Sequence, residues 1–244
     1  MKVLTLNLHK GFNFMNRRFV LHELREAVRE VSADIVFLQE VIGEHEDHAS
    51  RHEHWPAAPQ YEFLADTIWG SYAYGRNAVY PAGHHGNALL SKYPILRYQN
   101  LDVSVGRVER RGLLHCVLER PDGGGTLHAV CAHLGLREAY RRRQIELLCE
   151  MVDREVPADA PLIIAGDFND WRQRAHLRLT AQAKVCEAFA EANGTLARSF
   201  PARWPLLPLD RVYLRGLRVR STAVLSSRPW SHLSDHAGLL VELE

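Results

Sequence analysis

The sequence predicts an α/β fold of the α+β kind: two packed, mixed and mainly antiparallel sheets with helices on the outside. Three observations predict it. Apolar strand-like runs outnumber helical stretches along the chain. Many of those runs are joined by short turns that let sequence neighbours pair antiparallel, without the helical crossovers that a doubly wound parallel sheet needs. Finally, 46% of the 244 residues are hydrophobic, enough for a large core and too many for a disordered chain.

The elements follow in order. Val3 to Leu8 reads as a strand. Between Met15 and Val31, the residues Phe19, Leu21, Leu24, Val28 and Val31 recur at helical spacing and predict an amphipathic helix. Asp34 opens a short apolar strand, Ile35–Leu38, which ends in Gln39-Glu40. Residues 43–60 are rich in His, Glu and Pro and read as a loop or irregular insertion. Several strands follow between Tyr61 and Leu134, the clearest being Asn87–Ser91, Leu113–Leu118 and Leu127–Leu134. A Pro121-Asp122-Gly123-Gly124-Gly125 turn separates the last two. Leu136 to Val156 is a helix with Ile145, Leu148, Met151 and Val152 on one side and Arg141 to Arg143 on the other, solvated side. Pro161 to Ala165 is a strand ending in Gly166-Asp167-Phe168-Asn169. Leu177 to Ala192 reads as a second helix, stopped near Asn193-Gly194. Leu209–Leu214, Val219–Leu225 and Gly238–Leu243 are the final strands.

No low-complexity linker or short repeat divides the chain, so residues 1–244 read as one domain. Thirty Lys and Arg against 29 Asp and Glu leave a formal charge of +1, which argues against a bulk electrostatic grip on long nucleic acid. Cys116, Cys131, Cys149 and Cys186 form no CxxC pair and read as buried free thiols of a reducing compartment. The chain enters strand-like sequence at once, and no apolar run is long enough to span a membrane. The expected location is the cytoplasm.

One feature recurs: apolar strands stop abruptly at polar residues able to bind metal or phosphate. They are Asn7 and His9, Gln39-Glu40, His133, Asp167 and Asn169, Asp210, and Ser234-Asp235-His236. A single polar residue at a strand end is ordinary turn chemistry, but six such ends are not explained that way. Glu40, Asp167 and Asp235, with the carboxamides of Asn7 and Asn169, form a hard-oxygen set suited to Mg²⁺ or Mn²⁺ rather than zinc. Such a cation beside imidazoles and a carboxylate base is what phosphodiester hydrolysis requires.

The boxes Asn7-Leu8-His9, Leu38-Gln39-Glu40-Val41, Gly86-Asn87-Ala88-Leu89-Leu90-Ser91, Ala132-His133-Leu134, Gly166-Asp167-Phe168-Asn169, Leu209-Asp210-Arg211-Val212 and Ser234-Asp235-His236 resemble those of the endonuclease/exonuclease/phosphatase (DNase I-like) superfamily, in the same order. The resemblance spans residues 3–243 and is closest to a bacterial branch often encoded beside cardiolipin synthase genes. It implies a four-layer sandwich with the site at one edge of the two sheets. It also implies roles. Glu40 is the main metal ligand, with Asn7 and Asp235 beside it. Asp167 orients or deprotonates the attacking water, and Asn169 hydrogen-bonds the phosphoryl oxygen. His236 binds the scissile phosphate or acts as acid/base, with Asp210 fixing its tautomer, and His133 contacts phosphate or the leaving group. His9, at a position where the family varies, joins Asn87 and Arg76 as candidate substrate contacts. The implied cofactor is Mg²⁺ or Mn²⁺.

The expected function is hydrolysis of a small or lipid-derived phosphodiester by in-line attack of water. The alternatives are a DNA or RNA nuclease and a binding protein that kept the fold without the chemistry. Further residues are weighed beside these roles. His45, His48, His52 and His54 read as a solvated polar loop rather than a second metal site. Tyr72 to Asn77, with Arg76, suggests either a substrate-reading loop or a sheet edge. Arg211 is weighed as a surface partner of Asp210, and Trp171 as a pocket wall.

Overall fold

The computed structural model describes residues 1–14, 17–52, 54–106, 108–120 and 122–244. Among the described residues, twelve strands form two six-stranded sheets. The first runs β11-β12-β1-β2-β4-β3, with β1 Lys2–Asn7, β2 Ile35–His45, β3 Ser71–Tyr80, β4 Gly83–Ser91, β11 Val219–Leu225 and β12 Gly238–Leu243. The second runs β5-β6-β7-β8-β10-β9, with β5 Ile95–Asp102, β6 Gly112–Glu119, β7 Thr126–His133, β8 Leu162–Asp167, β9 Cys186–Glu187 and β10 Asp210–Arg215.

Each sheet is antiparallel except for one central parallel pair, β1 with β2 and β7 with β8. Parallel neighbours need a crossover, and helices α1 (Leu21–Val31) and α4 (Glu138–Glu155) supply the two. Both parallel pairs therefore run their C-terminal ends to one edge of the molecule.

The four layers follow from where the apolar residues go. Ile35 and Phe37 point into the core between the sheets, with Leu114, Cys131, Ile163 and Leu239. Val36 and Leu38 point the other way, under α1 and α3 (Gln60–Ala65), with Leu24, Val28 and Trp69. Both faces of β2 are covered, which is why it reads as a continuous apolar run. A third core lies between the second sheet and α4 and α5 (Arg174–Ala183). Fully burying a Leu, Ile or Phe in such a core contributes about 1.5–3 kcal/mol.

Several expectations are corrected. The first helix starts at Leu21 rather than near Met15. Phe12 pairs with Phe19 in an antiparallel bridge, and the Asn13 carboxamide oxygen accepts the N–H groups of Arg17 and Arg18, so this stretch folds back on itself instead. Met15 and Asn16 lie outside the described residues. The loop expected over residues 43–60 is regular in its first half: β2 continues to His45, and α2 (Glu46–Arg51) follows, its first turn capped by the His45 ring on the His48 N–H, while the described residues from His52 to Pro59 are irregular as expected. The Tyr72–Asn77 stretch is part of strand β3, not a reading loop. The helix expected over 177–192 is two, α5 and α6 (Ala188–Asn193), split by β9, where Cys186 pairs with Leu214. Glu187 then caps α6 by accepting the Ala190 N–H. Three cysteines are buried free thiols, but Cys186 is exposed.

Candidate active site

The strand ends singled out by sequence meet at one edge. Asn7 ends β1, Glu40 lies midway along β2 at its bulge rather than at a strand end, and His133 and Asp167 end the paired strands β7 and β8, opposite each other in register. Asp210 opens β10 directly across from Asp167, and Asp235-His236 precede β12.

Asp167 is the centre. Its Oδ2 accepts the Asn7 carboxamide N–H at 3.2 Å and lies 3.6 Å from His133 Nε2 and 3.8 Å from His236 Nε2. Its Oδ1 accepts the Asn169 backbone N–H at 2.9 Å, a contact that the left-handed conformation of Asn169 (φ 51°) makes possible. The Asn169 side chain donates to Leu134 O at 3.0 Å, tying the turn after β8 to the turn after β7. Close approach of these strands requires Gly166: a Cβ there would sit 1.9 Å from Ala132 O.

His236 is oriented from behind. Its Nδ1 is 2.8 Å from Asp210 Oδ2, which also accepts the Ser199 hydroxyl at 2.5 Å. Nδ1 therefore carries the proton, and Nε2 faces Asp167. Burial pulls the imidazole toward neutrality, but the carboxylates of Asp210 and Asp167 outweigh it and push His236 up to about 10. Burial raises the Asp167 carboxyl to about 7, against the opposing pull of His236. Burial likewise holds His133 well below the ordinary imidazole range, with Arg111 and His236 adding to the effect. One carboxyl near neutrality thus sits between a cationic and a neutral imidazole.

A second constellation adjoins it. Asp235 Oδ2 pairs with His9 Nδ1 at 2.9 Å. Burial disfavours its charge, yet the His9 hydrogen bond and the His236 charge hold it below the usual carboxylate range. The Asn7 carboxamide oxygen accepts the His9 N–H at 3.0 Å, and the Ser234 hydroxyl donates to Asn7 O at 2.6 Å. Glu40 sits on a β-bulge: the β2–β4 register shifts between Leu38 and Val41, so Gln39 and Glu40 together face a single β4 residue. Glu40 takes φ 54° there, a conformation that costs a non-glycine residue about 1 kcal/mol or more. Gln39 stays in the core, its amide donating to Thr5 Oγ1 and Cys131 Sγ.

The donors beside Asp167 are of the kind that a divalent cation takes. Glu40, the Asn7 carboxamide oxygen and Asp235 are hard oxygens, and the strained bulge aims Glu40 away from the alternation of its strand. Among the described residues, Asp167, Asp210 and His236 also bring three ligand-type atoms within 4.8 Å. Asp210 Oδ2, however, is already engaged by the His236 and Ser199 protons, so the trio is better suited to handling a proton.

Other candidates fall elsewhere. Asn87 is fully buried and donates to Gly112 O and Cys131 O, clasping the two sheets; only its oxygen remains for another role. Arg76 is exposed midway along the edge strand β3 and belongs with Tyr74 and His84, not with Asp167. Arg211 does not pair with the Asp210 carboxylate on the surface: it is buried and donates to the carbonyls of Pro208, Asp210 and Asp170. Arg141 is not on a solvated face either; its guanidinium donates to Gly135 O and Leu136 O and lies 5.0 Å from the Trp171 ring. His45, His48 and His52 stack with one another, with Trp55 and with Phe12. Sequence reasoning missed Ser199, which no pattern marks, and gave Ser234 no role.

Two packed sheets with a carboxylate and imidazole cleft at one edge define a DNase I-like phosphoesterase fold. The chain belongs to the Endonuclease/Exonuclease/phosphatase family, whose model matches residues 4–236. It is 55% identical over 242 residues to the YbhP protein of Escherichia coli, covering 99% of this chain and 95% of that one. Solved structures share the fold. An endonuclease/exonuclease/phosphatase from Beutenbergia cavernae superposes with TM-score 0.78 at 19% identity, covering 100% of this chain and 71% of that one. A humanised D. rerio TDP2 gives 0.74 at 20%, covering 100% and 98%. A mannosyl-6-phosphatase from Bacteroides thetaiotaomicron gives 0.73 at 17%, covering 100% and 99%. The family acts on phosphate esters and is generally metal-dependent. No helix among the described residues is long and apolar enough to cross a membrane.

Proposed function

We propose that the chain is a metal-dependent phosphodiesterase hydrolysing a small or lipid-derived phosphodiester, with Mg²⁺ or Mn²⁺ held by Glu40, Asn7 and Asp235. The observation that carries this reading is Asp167, a buried carboxyl whose Oδ2 lies 3.6 Å from the neutral His133 imidazole and 3.8 Å from the cationic His236 one. A cation at those oxygens supplies positive charge for the phosphoryl oxygens as negative charge builds there.

The protein's own residues do the rest. Asp167 takes a proton from the attacking water, the task that a base with a pKa near the working pH performs best. Asn7 and the Asn169 N–H hold that carboxylate in place. His236, kept cationic by Asp210, presents Nε2–H to a phosphoryl oxygen or the leaving oxygen. His133, kept neutral by burial, offers a hydrogen bond at the same centre. The Ser199 hydroxyl holds the Asp210 carboxylate in place, and Asp210 fixes the orientation of the His236 ring.

The test is hydrolysis of bis-p-nitrophenyl phosphate and p-nitrophenyl phosphate with Mg²⁺, Mn²⁺ or EDTA. Metal-dependent release from the diester, lost in Asp167→Asn and His236→Ala, supports the reading. Full activity after exhaustive EDTA treatment removes the metal, and preference for the monoester moves the function to a phosphatase.

A further inference from the structure

The strand directions divide the connecting loops into two sets. One set lies at the edge that carries Asp167; the other lies at the opposite edge. The first comprises loops 8–20, 52–59, 81–82, 103–111, 134–137, 168–173, 194–209 and 226–237. The second comprises loops 32–34, 66–70, 92–94, 120–125, 156–161 and 216–218.

Large apolar side chains exposed on loops are confined to the first set. Phe14, Val108, Leu136, Trp171, Trp204 and the Leu206–Leu207 pair are all there; among the described residues the opposite loops carry none. Trp204 is 71% and Leu206 63% exposed, so neither is filling a core. Scattered exposed apolar residues need no explanation, but their segregation to the mouth of one site does.

Charge segregates with them. Arg17, Arg137, Arg203 and Arg228 are exposed on the same loops and make no carboxylate ion pair among the described residues. Arg203 lies over the Trp204 ring at 5.4 Å. At the opposite edge Asp34, Asp66, Asp122 and Asp159 offset the basic side chains. The acidic Glu44, Glu46 and Asp47 lie at the end of β2 and the start of α2, next to β4 and β3 in strand order and away from β10.

Tryptophan and leucine at loop tips, interleaved with arginine, form an interfacial pattern: the apolar tips enter the boundary between headgroups and acyl chains while the guanidinium groups meet anionic phosphates. Nucleic acid would also draw arginine to such a rim, but unpaired bases stack on aromatic faces, and Val108, Leu136, Leu206 and Leu207 have none. We propose that this rim docks the protein on the surface of an anionic phospholipid bilayer and that the substrate is a phosphodiester presented at that interface. The second half of the proposal rests on the phosphodiesterase reading; the docking itself does not.

The experiment is vesicle flotation of the Asp167→Asn protein, which separates binding from turnover. Phosphatidylcholine vesicles are used with and without phosphatidylglycerol. The expected result is binding to the anionic vesicles that weakens with salt. A Trp204→Ser, Leu206→Ser double variant on the same background should lower the partition coefficient by about tenfold or more, while Leu96→Ser, on β5, leaves it unchanged. In the otherwise wild-type chain, the double substitution should leave bis-p-nitrophenyl phosphate hydrolysis and the melting temperature unaltered. Absence of vesicle binding, or equal binding by the double variant, overturns the proposal. Binding of single-stranded oligonucleotide in place of vesicles, lost in the double variant, overturns it in favour of a nucleic-acid surface. Intact vesicle binding by a protein that hydrolyses no diester leaves the docking in place and removes the catalytic reading instead.

Discussion

Replacing Asp167 with Asn is expected to stabilise the metal-free protein at alkaline pH while abolishing its chemistry. The carboxyl is buried, and burial raises it from 3.8 to about 7. A carboxyl whose folded pKa lies above its unfolded value binds more protons in the folded state. Its contribution is intact below about 4 and is lost as pH rises through about 7. Over that range the ionised group costs the fold up to about 4 kcal/mol. Asn carries no such charge. It retains an oxygen for the Asn169 N–H, but the Asn7 donor at 3.2 Å and the attraction of His236 lose their partner, which returns part of the gain. The net expectation is about 1–2 kcal/mol at pH 8, or roughly 2–8 °C in melting temperature for a chain of this size, shrinking to nothing near pH 4. Thermal melts of both proteins in EDTA across pH 4–9 measure it. A difference that does not change with pH, or a variant less stable than wild type at pH 8, would refute the assignment of Asp167 as a strained, buried base.

Other outcomes follow from the same geometry. Asp210→Asn removes the negative partner of His236 Nδ1, so kcat should fall about a thousandfold and the alkaline limb of the pH–rate profile should move to lower pH. The acid limb of kcat/KM should rise through about 7 as Asp167 ionises, read from the pH–rate profile of the unsubstituted protein. Glu40→Gln should weaken Mg²⁺ binding in calorimetry by about tenfold or more while leaving the metal-free melting temperature near wild type. Gly166→Ala should destabilise the fold by roughly 3 kcal/mol or more, read by denaturant unfolding, because its methyl group would meet Ala132 O.

What the sequence revealed, and what it hid, have physical reasons. Strand ends such as Asn7, His133 and Asp167 were legible because a doubly covered strand is a largely apolar run that closes on a polar residue. The second strand was cut short at Gln39-Glu40 because the bulge that aims Glu40 also breaks the period that would have extended it. β5 was missed because it is an edge strand, exposed along nearly its whole length, and Leu-Arg-Tyr-Gln-Asn shows no buried face. Arg141 was misplaced because a guanidinium reads as solvent-seeking, whereas here two loop carbonyls and an indole satisfy it inside. No spacing rule pairs His9 with Asp235, or Ser199 with Asp210. These contacts join segments that meet only after both sheets are assembled, and periodicity is blind to them.

β1 is the first strand of the chain and lies between β2 and β12, the last. During synthesis one of its edges finds β2 early, across a single helix, while the other waits some two hundred residues for Gly238–Leu243. Until then an apolar strand bearing Val3, Leu4 and Leu6 offers an unpaired ladder to any chain nearby, and the active-site edge lacks Asp235 and His236. β12 both caps that edge and carries Asp235 and His236 to the site on the loop before it, so pairing of the two most distant strands and assembly of the site are one event.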